Sequence, residues 1–122
     1  MTFSKPCARR YILLSFLFLF CFSFVNAQEG KSLFQQNCQS CHALDKRLTG
    51  PALRGAMTRG PWPDRKQLHA WVHNPAAFMA TNAYTQGLKA EYGIVMQQFP
   101  DLTDKQIDAI ADYLGARFNT QN

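Results

Sequence analysis

The residues best equipped for chemistry stand together at Cys38-Gln39-Ser40-Cys41-His42. Thiols at positions 38 and 41 lie about one helical turn apart, so both sulfurs can face the same side of the chain. An imidazole follows the second thiol directly. Three chemistries use such a set. A redox dithiol needs a βαβ setting, and no strand pattern flanks these residues. A structural zinc site needs four ligands, for which Cys38, Cys41 and His42 would have to recruit His69 or His73. The third is covalent haem attachment, in which each thiol adds to one of two vinyl groups on adjacent rings and His42 gives the proximal nitrogen. It is the most specific of the three patterns.

A second axial ligand would have to come from Met57, Met79, Met96, His69 or His73. Met57 follows His42 in a loop that must pass the proximal side. Met79 falls in an expected helix, where a thioether ordinarily fills core. Met96 comes after a Gly-containing stretch. His69 and His73 project from one helical face, a spacing that recurs freely on surfaces.

The elements that must position these groups are helical. Gly30, Leu33, Phe34 and Asn37 repeat at spacings of three and four, which predicts a helix from Gln28 to about Asn37. Leu48 to Pro63 holds Gly50-Pro51, Gly55, Gly60-Pro61 and Pro63, and reads as loop. Asp64 can cap a helix from Arg65 to His73, with Leu68, Trp71 and Val72 on one face. Asn74-Pro75 ends it and opens the next, expected from Ala76 to Leu88. Gly87, Gly93 and Pro100 bracket a further irregular stretch. Thr103-Asp104-Lys105-Gln106 fits a capping box ahead of Ile107, Ile110, Ala111, Leu114 and Phe118, a face expected to be buried. No run alternates polar and apolar residues for long, so the fold class is all-α.

Composition divides the chain near residue 28. Before it lie Lys5, Arg9 and Arg10, an uncharged run from Tyr11 to Val25, and Val25-Asn26-Ala27. Basic start, apolar middle and small residues before a cut make residues 1–27 a secretory signal peptide. The run falls short of the roughly 20 residues of a membrane span, a retained anchor being the rival reading. Residues 28–122 then form one domain, expected in the periplasm. Removing the leader lowers the net charge from +5 to +2, too little and too scattered for nucleic acid. Six of the ten Phe also leave with it, so the domain's own core is modest and something else is expected to fill its middle.

Several motifs in order resemble the class I monohaem cytochromes c of bacteria, over about Gly30 to Tyr113. They are Gly30-Phe34-Cys38, Cys38-x-x-Cys41-His42, Gly50-Pro51-x-Leu53-x-Gly55 and Met96-x-x-Phe99-Pro100-x-Leu102-Thr103-Asp104, with Ile110 and Tyr113 in the last helix. The resemblance implies helices wrapped around one haem c held by two thioethers. It implies His42 and Met96 as axial ligands, with the His42 ring bonded to the Pro51 carbonyl. It assigns an Arg and a Trp to the haem propionates, for which Arg59 and Trp71 are the candidates and Trp62 the spare. Ile110 and Tyr113 would pack the last helix across the first. One departure stands out: many relatives have Pro directly after the ligand Met, and this chain has Gln97.

The function implied is one-electron transfer, not enzymatic, with redox protein partners such as a terminal oxidase, a reductase or a quinol-oxidising complex. No small-molecule substrate is expected, and membrane contact only if the leader is retained. Two ionised propionates would take +2 to about zero, so no strong steering field is expected. The alternatives are a haem enzyme or gas sensor with a weak or vacant sixth position, and a docked haem subunit of a larger respiratory complex.

Overall fold

The computed structural model describes residues 28–119, so the signal peptide expected over residues 1–27 lies outside the described residues. The chain is helical at 28–37 (α1), runs as loop with one 3-10 turn at Ala56–Thr58, and continues through α2 (Arg65–His73), α3 (Pro75–Met79), α4 (Ala83–Tyr92) and α5 (Asp104–Asn119). No strand occurs among the described residues, in keeping with the all-α expectation. None of the described helices is long and apolar enough to cross a membrane.

Helix ends fall where side chains can satisfy free backbone N–H groups. Asp64 accepts from the Lys66 N–H, and Asn74 accepts from Ala77 with Pro75 in the first turn of α3. At α5 the Gln106 N–H donates to Thr103 Oγ1 at 3.3 Å, and the Thr103 N–H donates to Gln106 Oε1 at 3.0 Å. That is the reciprocal box the sequence predicts.

α5 is the wall on which the rest is built. Ile107 and Ala111 pack with Trp62, Leu68 and Trp71, while Ile110 and Leu114 pack with Phe34 of α1. α1 crosses α5 at Gly30, where a Cβ would run into the Ala109 carbonyl oxygen and stand 2.7 Å from its carbon. Only Gly allows that approach, and it explains why Ala109 is buried although it lies off the predicted apolar stripe. Phe34 and Tyr113 close the crossing with ring centroids 5.7 Å apart.

Three expectations need correction. The helix expected over Ala76–Leu88 is two helices, because the Asn82 side chain accepts from the Thr85 N–H and starts a new one. Gly87 therefore lies inside α4, and the helix stops at Gly93, whose φ of 77° is the left-handed cap that glycine adopts readily. Phe118 belongs to the apolar repeat of α5 but is 37% exposed, since the helix has by then run past the core.

Candidate haem site

The turn after α1 keeps the cysteine motif in near-helical form. The Cys38 N–H donates to the Phe34 carbonyl and the His42 N–H to the Cys38 carbonyl, both at 2.9 Å. The chain then doubles back beside the motif, with Gly50 N–H donating to Cys41 O at 2.8 Å and Leu53 N–H to Ala43 O at 2.9 Å. This return lays Gly50 and Pro51 against the imidazole. A Cβ at Gly50 would stand 2.8 Å from His42 Nδ1 and 3.0 Å from Nε2, so the ring rests directly on the glycine backbone.

His42 Nδ1 lies 2.9 Å from the Pro51 carbonyl oxygen. A carbonyl only accepts, so Nδ1 carries the proton and Nε2 keeps its lone pair. A ring oriented this way by an outer partner is what a metal-binding imidazole requires. Cys38 and Cys41 are not joined in a disulfide, and burial, followed by the neighbouring Cys41, pushes the Cys38 thiol up to about 11.

Cys38, Cys41 and His42 line one cavity of about 300 Å³ together with Pro51, Trp71 and Met96. That volume lies in the range of small-molecule and cofactor sites. Its walls are mostly apolar, drawn from both core clusters. The cavity is the space left in the middle of a domain whose own core is small, and its donor set fits a covalently held haem.

Among the candidate axial groups, Met57, Met79 and Met96 all border the cavity. The two histidines do not. His69 Nε2 lies 2.8 Å from Asp108 Oδ1, and His73 Nε2 lies 2.7 Å from the Leu102 carbonyl, so both bridge α2 to α5 or the segment before it. No group of three or more His, Cys, Asp or Glu side chains arranged to hold a metal ion occurs among the described residues.

Both tryptophans reach the cavity, with ring centroids 5.6 Å apart, while Arg59 does not. Its guanidinium donates to the carbonyls of Ala52 at 2.9 Å and Arg54 at 3.3 Å and so ties up the loop that carries it. Sequence reasoning missed one wall of the site. Thr85, Leu88, Lys89 and Tyr92 of α4 all line it, at the i, i+3, i+4, i+7 spacing of one helix face. The signal was present, but three of the four are polar or amphipathic and so do not register as an apolar stripe.

A sequence profile of the cytochrome c family matches residues 27–117. The chain belongs to the cytochrome c family. Cytochrome c from Rhodothermus marinus is 34% identical, with a TM-score of 0.68 and 80% of each chain covered. An engineered cytochrome c from the same organism, bound to a carbene intermediate, gives 33% identity, a TM-score of 0.64 and coverage of 78% of this chain and 79% of that one. Cytochrome c2 of Rhodopseudomonas palustris is 50% identical over 34 residues, a stretch spanning 28% of this chain and 29% of that protein. These relatives identify a class I monohaem cytochrome c, and with it a covalently attached haem c at the Cys38/Cys41/His42 motif.

Proposed function

We propose that this cytochrome c is an exported one-electron carrier, with His42 and Met96 as axial ligands to a single haem c. Bound in the cavity, haem c supplies an iron centre that changes its charge by one electron. The residues hold that centre still and dry. Cys38 and Cys41 anchor it, and the Pro51 carbonyl fixes the His42 ring and raises its basicity. Met96 would cap the other side, its thioether favouring the reduced state more than a second imidazole would. With His42 and Met96 both holding the iron, no site would be left for substrate chemistry, which separates a carrier from a haem enzyme or gas sensor.

The observation that carries this reading is that the two thiols, His42 with Nδ1 committed to Pro51, and Met96 all face one apolar cavity. Trp71, with Trp62 beside it, is the propionate donor most in keeping with that cavity, while Arg59 is already engaged with backbone carbonyls. The leader-like residues 1–27 support a periplasmic location, and with it partners among oxidases, reductases or quinol-oxidising complexes. Protein-film voltammetry on the holoprotein tests the proposal. A reversible one-electron wave, with a reduced spectrum unmoved by carbon monoxide, is expected. Ready carbon monoxide binding by the wild type would transfer the weight to a haem enzyme or sensor.

A further inference from the structure

Residues 94–103 carry Met96 between α4 and α5 without forming helix or strand. Two bonds tie that segment to adjacent residues at the end of α2. The Phe99 N–H donates to the Val72 carbonyl at 2.9 Å, and His73 Nε2–H donates to the Leu102 carbonyl at 2.7 Å.

His73 is the last rung of a ladder. Arg65, His69 and His73 stand one turn apart on α2 and face Asp112, Asp108 and Asp104 of the antiparallel α5, at 2.7, 2.8 and 3.8 Å. The first two rungs join helix to helix through a carboxylate. At the third the Asp104 carboxylate stands back, its other oxygen 3.5 Å from His69 Nδ1, and the His73 ring N–H goes instead to a carbonyl of the Met96 segment. A rung identical in spacing thus does a different job.

The position after Met96 is Gln97, which leaves the backbone there freer than a proline would. The half-buried His73 and its neighbour Val72 restrain the segment at two points further along. We propose that His73 is a positioning residue for the Met96 thioether, acting through the Leu102 carbonyl in place of the missing proline ring. The proposal rests on Met96 being the sixth ligand.

Imidazole competes with Met96 for ferric iron and so reads how firmly the segment is held. In the holoprotein, His73→Ala should raise imidazole affinity by about threefold to tenfold, the loss expected for one hydrogen bond. His73→Gln, which keeps an N–H donor, should recover most of it. Gln97→Pro should lower imidazole affinity in the otherwise wild-type chain. Asp108→Asn, on a rung that does not touch the segment, should lower the unfolding temperature and leave imidazole affinity alone. An imidazole affinity unmoved in His73→Ala, or raised equally in Asp108→Asn, overturns the proposal while leaving Met96 ligation standing. A wild-type ferric spectrum without a Met96-dependent sulfur-to-iron band overturns both.

Discussion

Replacing Gly50 by Ala would set a methyl group against the one side chain whose orientation matters most. The added Cβ falls on the His42 ring, with Cε1 its nearest atom, Nδ1 at 2.8 Å and Nε2 at 3.0 Å. The ring cannot swing aside without giving up its 2.9 Å bond to Pro51. Gly50 is not among the glycines with positive φ, so the backbone tolerates Ala and the cost is steric. Overpacking of this kind costs about 1–3 kcal/mol and the lost bond about 0.5–1.5, so roughly 2–4 kcal/mol is expected in all. For a domain of this size that lowers the melting temperature by on the order of 10–25 °C. Because the Pro51 carbonyl makes the imidazole a stronger donor, loosening it should also weaken the oxidised state and raise the midpoint potential. Thermal melts of the holoprotein by far-UV circular dichroism, paired with voltammetry, measure both effects. A variant within about 0.5 kcal/mol of wild type, as for an ordinary surface change, and with its potential unmoved, would refute the reasoning.

Other substitutions probe the frame around the site. Gly30→Ala should force α1 and α5 apart, since the Cβ meets Ala109 backbone rather than a movable side chain; urea melts should show a loss of about 1–3 kcal/mol. Thr103→Ala removes the acceptor for the Gln106 N–H and should cost about 1 kcal/mol, with faster amide exchange confined to the first turn of α5. Asp45 is held below its ordinary 3.8 by its hydrogen bond to Arg54. Its contribution is therefore complete above about pH 4 and fades as pH falls through the lowered value. Stability curves of wild type and Asp45→Asn should differ most near neutrality and converge in acid, and a constant gap between them would count against that assignment.

What the sequence made legible follows from how narrowly each feature is constrained. The motif at Cys38–His42 could be read because few chemistries use two thiols and an imidazole at that spacing. α5 could be read because a capping box precedes a long apolar repeat, two independent signals that agree. The break at Asn82 was hidden, because the polar stretch around it contains no Gly or Pro and the cap is made by one side chain, whose Oδ1 accepts from the Thr85 N–H and hydroxyl. Arg59 bonds the carbonyls of Ala52 and Arg54 and stays off the cavity lining, because a guanidinium near the cofactor loop has backbone acceptors of its own within reach, and composition does not reveal which it will choose. Lys89 and Thr85 were missed for the opposite reason: they face the cavity as part of a helix face that hydrophobicity alone does not pick out. Packing signals thus survive in the sequence, while hydrogen-bond choices among equivalent acceptors do not.

The central claim is that His42 and Met96 close both axial positions of one haem. It is tested most directly by the ferric holoprotein's spectrum in the red, where a weak sulfur-to-iron charge-transfer band reports a bound thioether, recorded for wild type beside Met96→Ala. The account predicts a band in the wild type that disappears in the variant, with the variant turning high-spin and binding carbon monoxide once reduced. A wild type without the band, or a band that survives loss of Met96, would contradict it and turn attention to Met57 and Met79, which line the same cavity.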